Sequence, residues 1–251
     1  MTMPHILWKL WKGYPTSLEF INSDYPVFMQ TLAGLQLTIL ITFLSICVAF
    51  IPAAVFAYIY HKASKRGSSK YFSGRIAIFA KYLIITVVEF FRGIPLVLLV
   101  LLVFILPYPL FGIRLPLVLR AVIAMSIYAG IYIFTIFLSG FKAVSEDLLA
   151  AAKVMGLNRF QIFIKLQLPL SVRVMLPTFL SMVITVFKDS SVLYVAGVCE
   201  LTFTSRQIII SQPGDYFFIL FSVLAIYWGI ATAGSLVVKL LEEKYRFNFN
   251  H

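Results

Sequence analysis

Two clusters of polar residues interrupt apolar stretches of this 251-residue chain, and they are its first candidates for chemistry. The clusters are Glu89 with Arg92, and Lys188, Asp189, Ser190 and Ser191. Charges within a membrane span usually face a cavity or each other, and they commonly mark a substrate path. Each cluster offers a cation and an anion. The alternatives are a structural ion pair between spans, or a Lys188 side chain that reaches the membrane interface.

Glu89 and Arg92 are spaced at i and i+3 of a helix, which predicts that their side chains pair. Gly93, Ile94 and Pro95 follow directly, and a proline there predicts a break or kink in the helix. Broken helices commonly line binding sites in membrane proteins. We therefore predict that the first cluster lies beside a helix break.

The composition predicts that these residues sit in a membrane protein. The chain is 61% apolar and 12% charged, with a mean hydropathy of +0.95. Soluble proteins average about 45–50% apolar and about 25% charged residues, and one core could not bury this much apolar surface. The expected fold class is all-α: a polytopic helical bundle in a lipid bilayer.

Uncharged runs predict five transmembrane helices, because a span needs about 20 apolar residues. The predicted spans cover residues 31–60, 76–106, 117–141, 174–199 and 216–238. Most of the 21 Lys and Arg residues lie in the loops after the first and third spans and in the C-terminal tail. Cytoplasmic loops are enriched in these residues, which predicts an external N-terminus and a cytoplasmic C-terminus.

This topology divides the chain into three parts. Residues 1–30 form an external lead-in, residues 31–241 the transmembrane domain, and residues 242–251 a cytoplasmic tail. The net charge of +11 is explained by the loops. No basic stripe alternates with aromatic residues, so we expect a bilayer and no nucleic acid as partner.

The sequence predicts neither a metal site nor a bound cofactor. Its histidines, His5, His61 and His251, are far apart, and Cys47 and Cys199 lie in apolar surroundings that suit packing. No Gly-x-x-x-x-Gly-Lys-Ser/Thr loop is present to bind ATP phosphates. Any ATP-driven process must therefore use ATP on another chain.

The loop between the third and fourth predicted spans, residues 142–173, contains signals for two short helices. Ser145 can cap the first helix, and Glu146 and Asp147 in its first turn complement the helix dipole. Gly156 is expected to end that helix.

Asn158, with Gln161 three residues later, is typical of a capping box that opens the second helix. Pro169 is expected to end it. A short helix held here suits docking into a groove of a cytoplasmic partner, or it could lie on the lipid surface.

A motif in this loop indicates a family. Ala150-Ala151-Ala152, three residues, Gly156, nine residues and Leu166-Gln167-Leu168-Pro169 resemble the EAA loop of ATP-binding-cassette importer permeases. The family form is Glu-Ala-Ala, three residues, Gly, nine residues and Ile-x-Leu-Pro.

Four other segments are similar to motifs of the polar amino-acid branch of these permeases, in the expected order. They are residues 31–38 (TLAGLQLT), 90–96 (FFRGIPL), 187–192 (FKDSSV) and 197–201 (GVCEL). The resemblance covers about residues 31–240, which is most of the chain.

The resemblance implies a type I permease subunit that is not itself an enzyme. It would act as a dimer with a second permease copy or homologue in the bacterial cytoplasmic (inner) membrane. A separate ATPase would seat the coupling loop, about residues 142–169, and an extracytoplasmic binding protein would deliver a polar or charged amino acid. The positions implied in coupling are Glu146, Asp147, Ala151, Ala152, Gly156 and Pro169.

Three positions depart from the family pattern. Ala150 replaces the motif glutamate, so an acidic contact is either missing or supplied by Glu146 or Asp147. Thr135 and Leu138 stand where many amino-acid permeases carry Glu and Arg.

The alternative function is an ion-driven secondary transporter or channel, although such carriers usually have internal repeats and more spans. A membrane enzyme is disfavoured because no catalytic constellation is present.

Overall fold

A computed structural model describes residues 27–66 and 72–246 of the chain, and within those ranges it is helical without a β-strand. The α-helices are α1 (Val27–Arg66), α2 (Phe72–Arg92), α3 (Leu96–Ile105), α4 (Pro107–Phe111), α5 (Leu117–Ala143), α6 (Glu146–Val154), α7 (Arg159–Ile162), α8 (Leu168–Asp189), α9 (Leu201–Ser211) and α10 (Tyr216–Arg246). A π-helical turn, Phe163–Gln167, joins α7 to α8, and 3₁₀ turns cover Ser190–Ala196 and Pro213–Asp215.

The part of the chain that the structure describes contains four candidate membrane spans, or five, as predicted, if one bent helix pair counts as a single span. Four segments are long and apolar enough: Val27–Ser64, Leu117–Ala143, Arg159–Ala196 and Pro213–Glu243. The bent pair is Arg75–Arg92 with Leu96–Phe111, which passes the same test only when its two helices are taken together. Most of the predicted lead-in, residues 1–26, and the end of the tail, residues 247–251, lie outside the described residues.

The helices group into two compact units. The described part of the first unit comprises residues 27–48, 94–128 and 183–233. Inside it, the Thr38 hydroxyl donates to the Gly34 carbonyl at 3.0 Å and accepts from the backbone N–H of Leu201 at 3.0 Å. A single fully buried side chain thus satisfies groups of both α1 and α9, as a water-free interior requires.

The α9 helix is a feature that the sequence prediction missed. The predicted fourth span ran to residue 199, whereas the helix changes to a 3₁₀ turn at Ser190 and stops at Gly197, which has a φ of +78°. Glu200 then opens α9 by accepting hydrogen bonds from two backbone N–H groups. The span prediction missed α9 because its residues are too polar and too few to resemble a span.

The second unit comprises, in its described part, residues 49–66, 72–93, 129–182 and 234–246. Aromatic rings pack through its interior with centroids 4.9–6.4 Å apart: Phe50, Tyr58, Phe137, Phe141 and Phe163. Such edge and tilted contacts add to the energy gained from burial. They link α1 and α5 to the π-helical turn before α8.

The expectation that Pro169 ends the second loop helix is wrong. The helix that begins at Arg159 continues through the π-helical turn into α8, so the fourth candidate span belongs to a continuous helical segment, Arg159–Ala196, instead of a helix that begins at residue 174. The backbone N–H of Leu168 reaches back five residues to the Phe163 carbonyl. This wider turn accommodates the proline ring, and Pro169 falls in the first turn of α8, where a missing N–H is tolerated.

Gly34 tests the close approach of α1 and α9. A Cβ there would lie 3.0 Å from the Leu201 Cα and 3.0 Å from the Thr204 Oγ1. We expect Gly34→Val to lower the apparent melting temperature of the detergent-solubilised protein, because overpacking costs about 1–3 kcal/mol. Gly229→Val is the matched control, since a Cβ there meets nothing within 4 Å. Equal melting temperatures for the two variants would contradict this packing.

Candidate substrate-path and coupling sites

The predicted pairing of Glu89 and Arg92 is present in the last turn of α2. The Arg92 Nη1 donates to the Glu89 Oε1 at 2.7 Å, and its Nη2 donates to the Thr135 Oγ1 of α5 at 2.8 Å. The Glu89 and Arg92 side chains are 51% and 46% exposed, respectively. Arg92 thus ties two helices of the second unit together and keeps an accessible surface.

The expected helix break follows this pair directly. The α2 helix ends at Arg92, and α3 begins at Leu96 with Pro95 as its N-cap. The backbone N–H of Gly93 still bonds to the Glu89 carbonyl at 3.0 Å. The break therefore leaves the charged pair at a helix end, where backbone groups are open to further partners.

The second cluster also lies where a helix changes form. The α8 helix ends at Asp189, whose carboxylate accepts a hydrogen bond from the Tyr128 hydroxyl of α5. Ser190 is buried and donates to the Phe187 carbonyl at 2.7 Å. Lys188 is exposed and Ser191 is half-buried. The structure thus joins Asp189 to a tyrosine that nothing in the linear sequence had singled out.

Glu200 is the polar residue whose role the sequence reading missed most clearly. It is fully buried, and its carboxylate accepts from the backbone N–H groups of Thr202 at 2.9 Å and Phe203 at 2.8 Å. The Tyr227 hydroxyl donates to it at 3.2 Å. Burial raises the pKa of Glu200 to about 7, although these hydrogen bonds act to lower it. The sequence offered only a weak signal for this role, because glutamate is not among the preferred N-cap residues.

The first helix of the coupling segment forms as predicted. Ser145 caps α6 by accepting from the Leu148 N–H at 3.4 Å, and Glu146 and Asp147 occupy the first turn. After α6, Gly156 adopts a φ of +85°, a region that residues with side chains rarely enter. The chain can therefore reverse at this position without strain only because it is glycine.

The second helix of the segment opens with the predicted capping box. The Asn158 side chain accepts from the Gln161 N–H at 2.8 Å, and the Gln161 side chain accepts from the Asn158 N–H at 2.9 Å. Large apolar side chains around the glycine are open to solvent: Val154 is 88%, Met155 74% and Phe160 73% exposed. An exposed apolar patch of this kind is typical of an interaction site.

The remaining coupling candidates differ in how far they are exposed to solvent. Ala152 is buried, whereas Ala151 and Pro169 are exposed. Among the residues that the structure describes, no three His, Cys, Asp or Glu side chains are grouped so that they could hold a metal ion.

Helices this long and apolar, with charge concentrated where they break, are characteristic of a multi-pass membrane transport protein. Residues 72–247 match the family described as binding-protein-dependent transport system inner membrane component. The chain belongs to that family, and it is a permease subunit.

Several bacterial permeases are similar in sequence. The probable glutamine ABC transporter permease protein GlnP of Bacillus subtilis is 29% identical over 214 residues, which cover 84% of this chain and 91% of that protein. The probable amino-acid ABC transporter permease protein YckA of the same organism is 30% identical over 158 residues, or 63% of this chain and 69% of that protein.

A solved structure described as an amino acid ABC transporter with histidines has a similar fold, with a TM-score of 0.74 and a sequence identity of 24%. The match covers 86% of this chain and 94% of that one. Together with the family match, this confirms the resemblance to ATP-binding-cassette importer permeases. The orientation in the membrane, the domain bounds and the site residues stay predictions.

The buried carboxyl group of Glu200 predicts how the stability of the protein depends on pH. Because its pKa is raised in the folded protein, the native state holds the proton more tightly than the unfolded chain does. The free energy of unfolding should therefore decrease as the pH rises from about 5 to about 7, by up to about 3 kcal/mol. Glu200→Gln should flatten the dependence of the melting temperature on pH over this range.

Glu243→Gln is the matched control, because Glu243 is an exposed carboxylate at the end of α10. It should keep the wild-type pH dependence. If Glu200→Gln and wild type lose stability equally as the pH rises, Glu200 is not the group that titrates.

Proposed function

We propose that this chain forms the membrane path of an ATP-driven importer for a polar or charged amino acid. The observation that carries the proposal is the coupling segment, in which a capped helix, a glycine of positive φ and a second capped helix present an exposed apolar patch. The names of the similar permeases, which refer to glutamine and amino acids, support the substrate class.

The energy would come from a separate ATP-binding-cassette ATPase that seats α6 in a groove. Val154, Met155 and Phe160 would supply the apolar contact, while Asp147 and Ala151 are exposed on the same short segment. Burial of such side chains contributes about 25 cal/mol per Å² of apolar surface. Movement of the ATPase pair would then be transmitted to α8, because α7 runs into α8 through a continuous helical segment.

The complex would contain further partners that the family implies. A second copy or homologue of this permease would complete the path in the bacterial inner membrane, and an extracytoplasmic binding protein would deliver the substrate. ATP would be bound and hydrolysed by the ATPase alone.

Each of the two polar clusters is a candidate for the substrate path. Glu89 with Arg92 offers an accessible anion and cation, and Lys188 and Asp189 offer another such pair. The half-buried Ser191 would complete the second cluster with its hydroxyl group, whereas Ser190 is fully buried, donates to the Phe187 carbonyl and would only support this helix end. An amino acid carries both charges, so each end of it finds a partner of opposite sign.

Gly156→Asp tests the coupling role. A side chain at a φ of +85° strains the reversal that presents α6, so the variant should remain in the membrane but lose the co-purifying ATPase. Gly156→Asn should retain part of it, because asparagine tolerates this conformation better than most residues do.

Gly214→Asp is the matched control, since that glycine has no positive φ and a Cβ there meets nothing within 4 Å. The proposal is wrong if Gly156→Asp retains both the ATPase and wild-type transport.

Arg92→Gln tests the path role. Loss of the guanidinium leaves Glu89 without its ion-pair partner and removes a cation from the accessible surface. We expect ATP-dependent amino-acid uptake to fall at least about tenfold, the factor that corresponds to about 1.4 kcal/mol. Arg114→Gln, at an arginine that contacts Tyr108, is the control and should transport normally. Unchanged uptake by Arg92→Gln would remove Arg92 from the path.

A further inference from the structure

A cavity of about 680 Å³ lies in the second unit, against one face of α6. Its walls come from the end of α1, from α6, from α7 and from the π-helical turn. The volume is within the range of about 300–1,000 Å³ that is usual for small-molecule sites. The proposed function assigns no ligand to this space, although Glu146 and Phe160 of the coupling segment lie in its wall.

The charge around the cavity is mainly positive. Lys62, Lys153 and Arg159 contribute cations from three different elements, and Glu146 is the one carboxylate among the described lining residues. A site with this excess of cations favours an anion. Arginine and lysine are also the side chains that most commonly bind phosphate groups in proteins.

The wall and floor of the cavity are built with aromatic and buried polar groups. Tyr58 and Phe163 line it with their ring centroids 4.9 Å apart. Gln167 and His61 are both buried, and their side-chain nitrogens lie 3.1 Å apart. The π-helical turn brings Phe163 and Gln167 to the same cavity, and such turns are frequent at functional sites.

The cavity uses a different face of α6 from the proposed ATPase contact. Glu146, Leu149, Ala150 and Lys153 line the cavity at helical positions i, i+3, i+4 and i+7, so they form one face. Val154 and Met155, the exposed apolar residues, are not part of this lining. An occupant of the cavity would thus leave Val154 and Met155 available to the ATPase, whereas Phe160, the third residue of that proposed contact, also lines the cavity.

The position of the cavity along α1 indicates what occupies it. Tyr58 and His61 belong to the apolar span Val27–Ser64, and Lys62 lies two residues before its end. The cavity therefore lies where the apolar part of α1 gives way to charged residues, as is expected near a membrane boundary. Basic pockets between transmembrane helices at this depth bind anionic lipid headgroups.

We propose that this cavity binds the phosphodiester headgroup of an anionic phospholipid. Lys62, Lys153 and Arg159 hold the phosphate oxygens, and Tyr58 with Phe163 contacts the glycerol and the start of an acyl chain. The lipid contacts Ala150 and Lys153 on the face of α6 that lines the cavity. It thereby stabilises the coupling segment, residues 142–169, which would bind the ATPase.

The test measures lipid binding and stability without any transport. The purified chain in nanodiscs should melt several degrees higher with phosphatidylglycerol than with phosphatidylcholine, and native mass spectrometry should show retained phosphatidylglycerol. Lys62→Gln with Arg159→Gln should lose at least about half of this shift. Lys165→Gln with Arg173→Gln is the matched control, because both residues are exposed cations of the same segment that do not line the cavity.

A charge-neutral variant keeps the test decisive if the double variant fails to fold. Ala150→Phe fills the cavity from α6 and should also reduce the preference for phosphatidylglycerol. The proposal is overturned if both cavity variants keep the full preference, or if soluble glycerol phosphate alone gives the same shift. It is also overturned if a photo-cross-linker at Ala150 captures the ATPase in the assembled complex instead of lipid.

Discussion

The hydrocarbon core of a membrane offers no hydrogen-bond partner to a backbone, and the rest of this structure depends on that constraint. Every N–H and C=O group at membrane depth must be satisfied within the protein, which restricts a chain of this composition to helices. Where a helix must stop, the protein has to supply the missing partners. Glu200 does so for α9 with two backbone hydrogen bonds, and Thr38 does so for the Leu201 N–H.

The same constraint explains why the polar residues gather at helix breaks. Glu89 and Arg92 precede the break at Pro95, and Asp189 is the last residue of α8. At these points the exposed backbone already needs polar surroundings, so a charge costs less there than in the middle of a span. The proposed substrate path would therefore use helix breaks that the fold already contains.

Much of the fold could be predicted because its signals are local. Uncharged runs indicate spans, and the caps at Ser145 and Asn158 depend on residues within three or four positions. The pairing of Glu89 with Arg92 is also local. The prediction that Pro169 ends a helix failed because the π-helical turn before it changes the local hydrogen bonding. No residue pattern in the sequence indicated that turn.

Contacts between distant residues could not be predicted from the sequence. Thr135 was recognised as a departure from the family pattern, but only the structure shows that it accepts a hydrogen bond from Arg92, 43 positions away. Tyr128 and Tyr227 likewise acquire their roles only when α5 and α10 bring them to Asp189 and Glu200. Such pairs depend on packing, which a single sequence does not reveal.

Transport by the reconstituted complex tests the central claim most directly. The chain would be purified from its host with its partners, placed in liposomes with its binding protein, and supplied with a mixture of amino acids. We expect a polar or charged amino acid to accumulate only when ATP is present on the ATPase side. Accumulation driven by an ion gradient without ATP would contradict the account and support an ion-driven transporter.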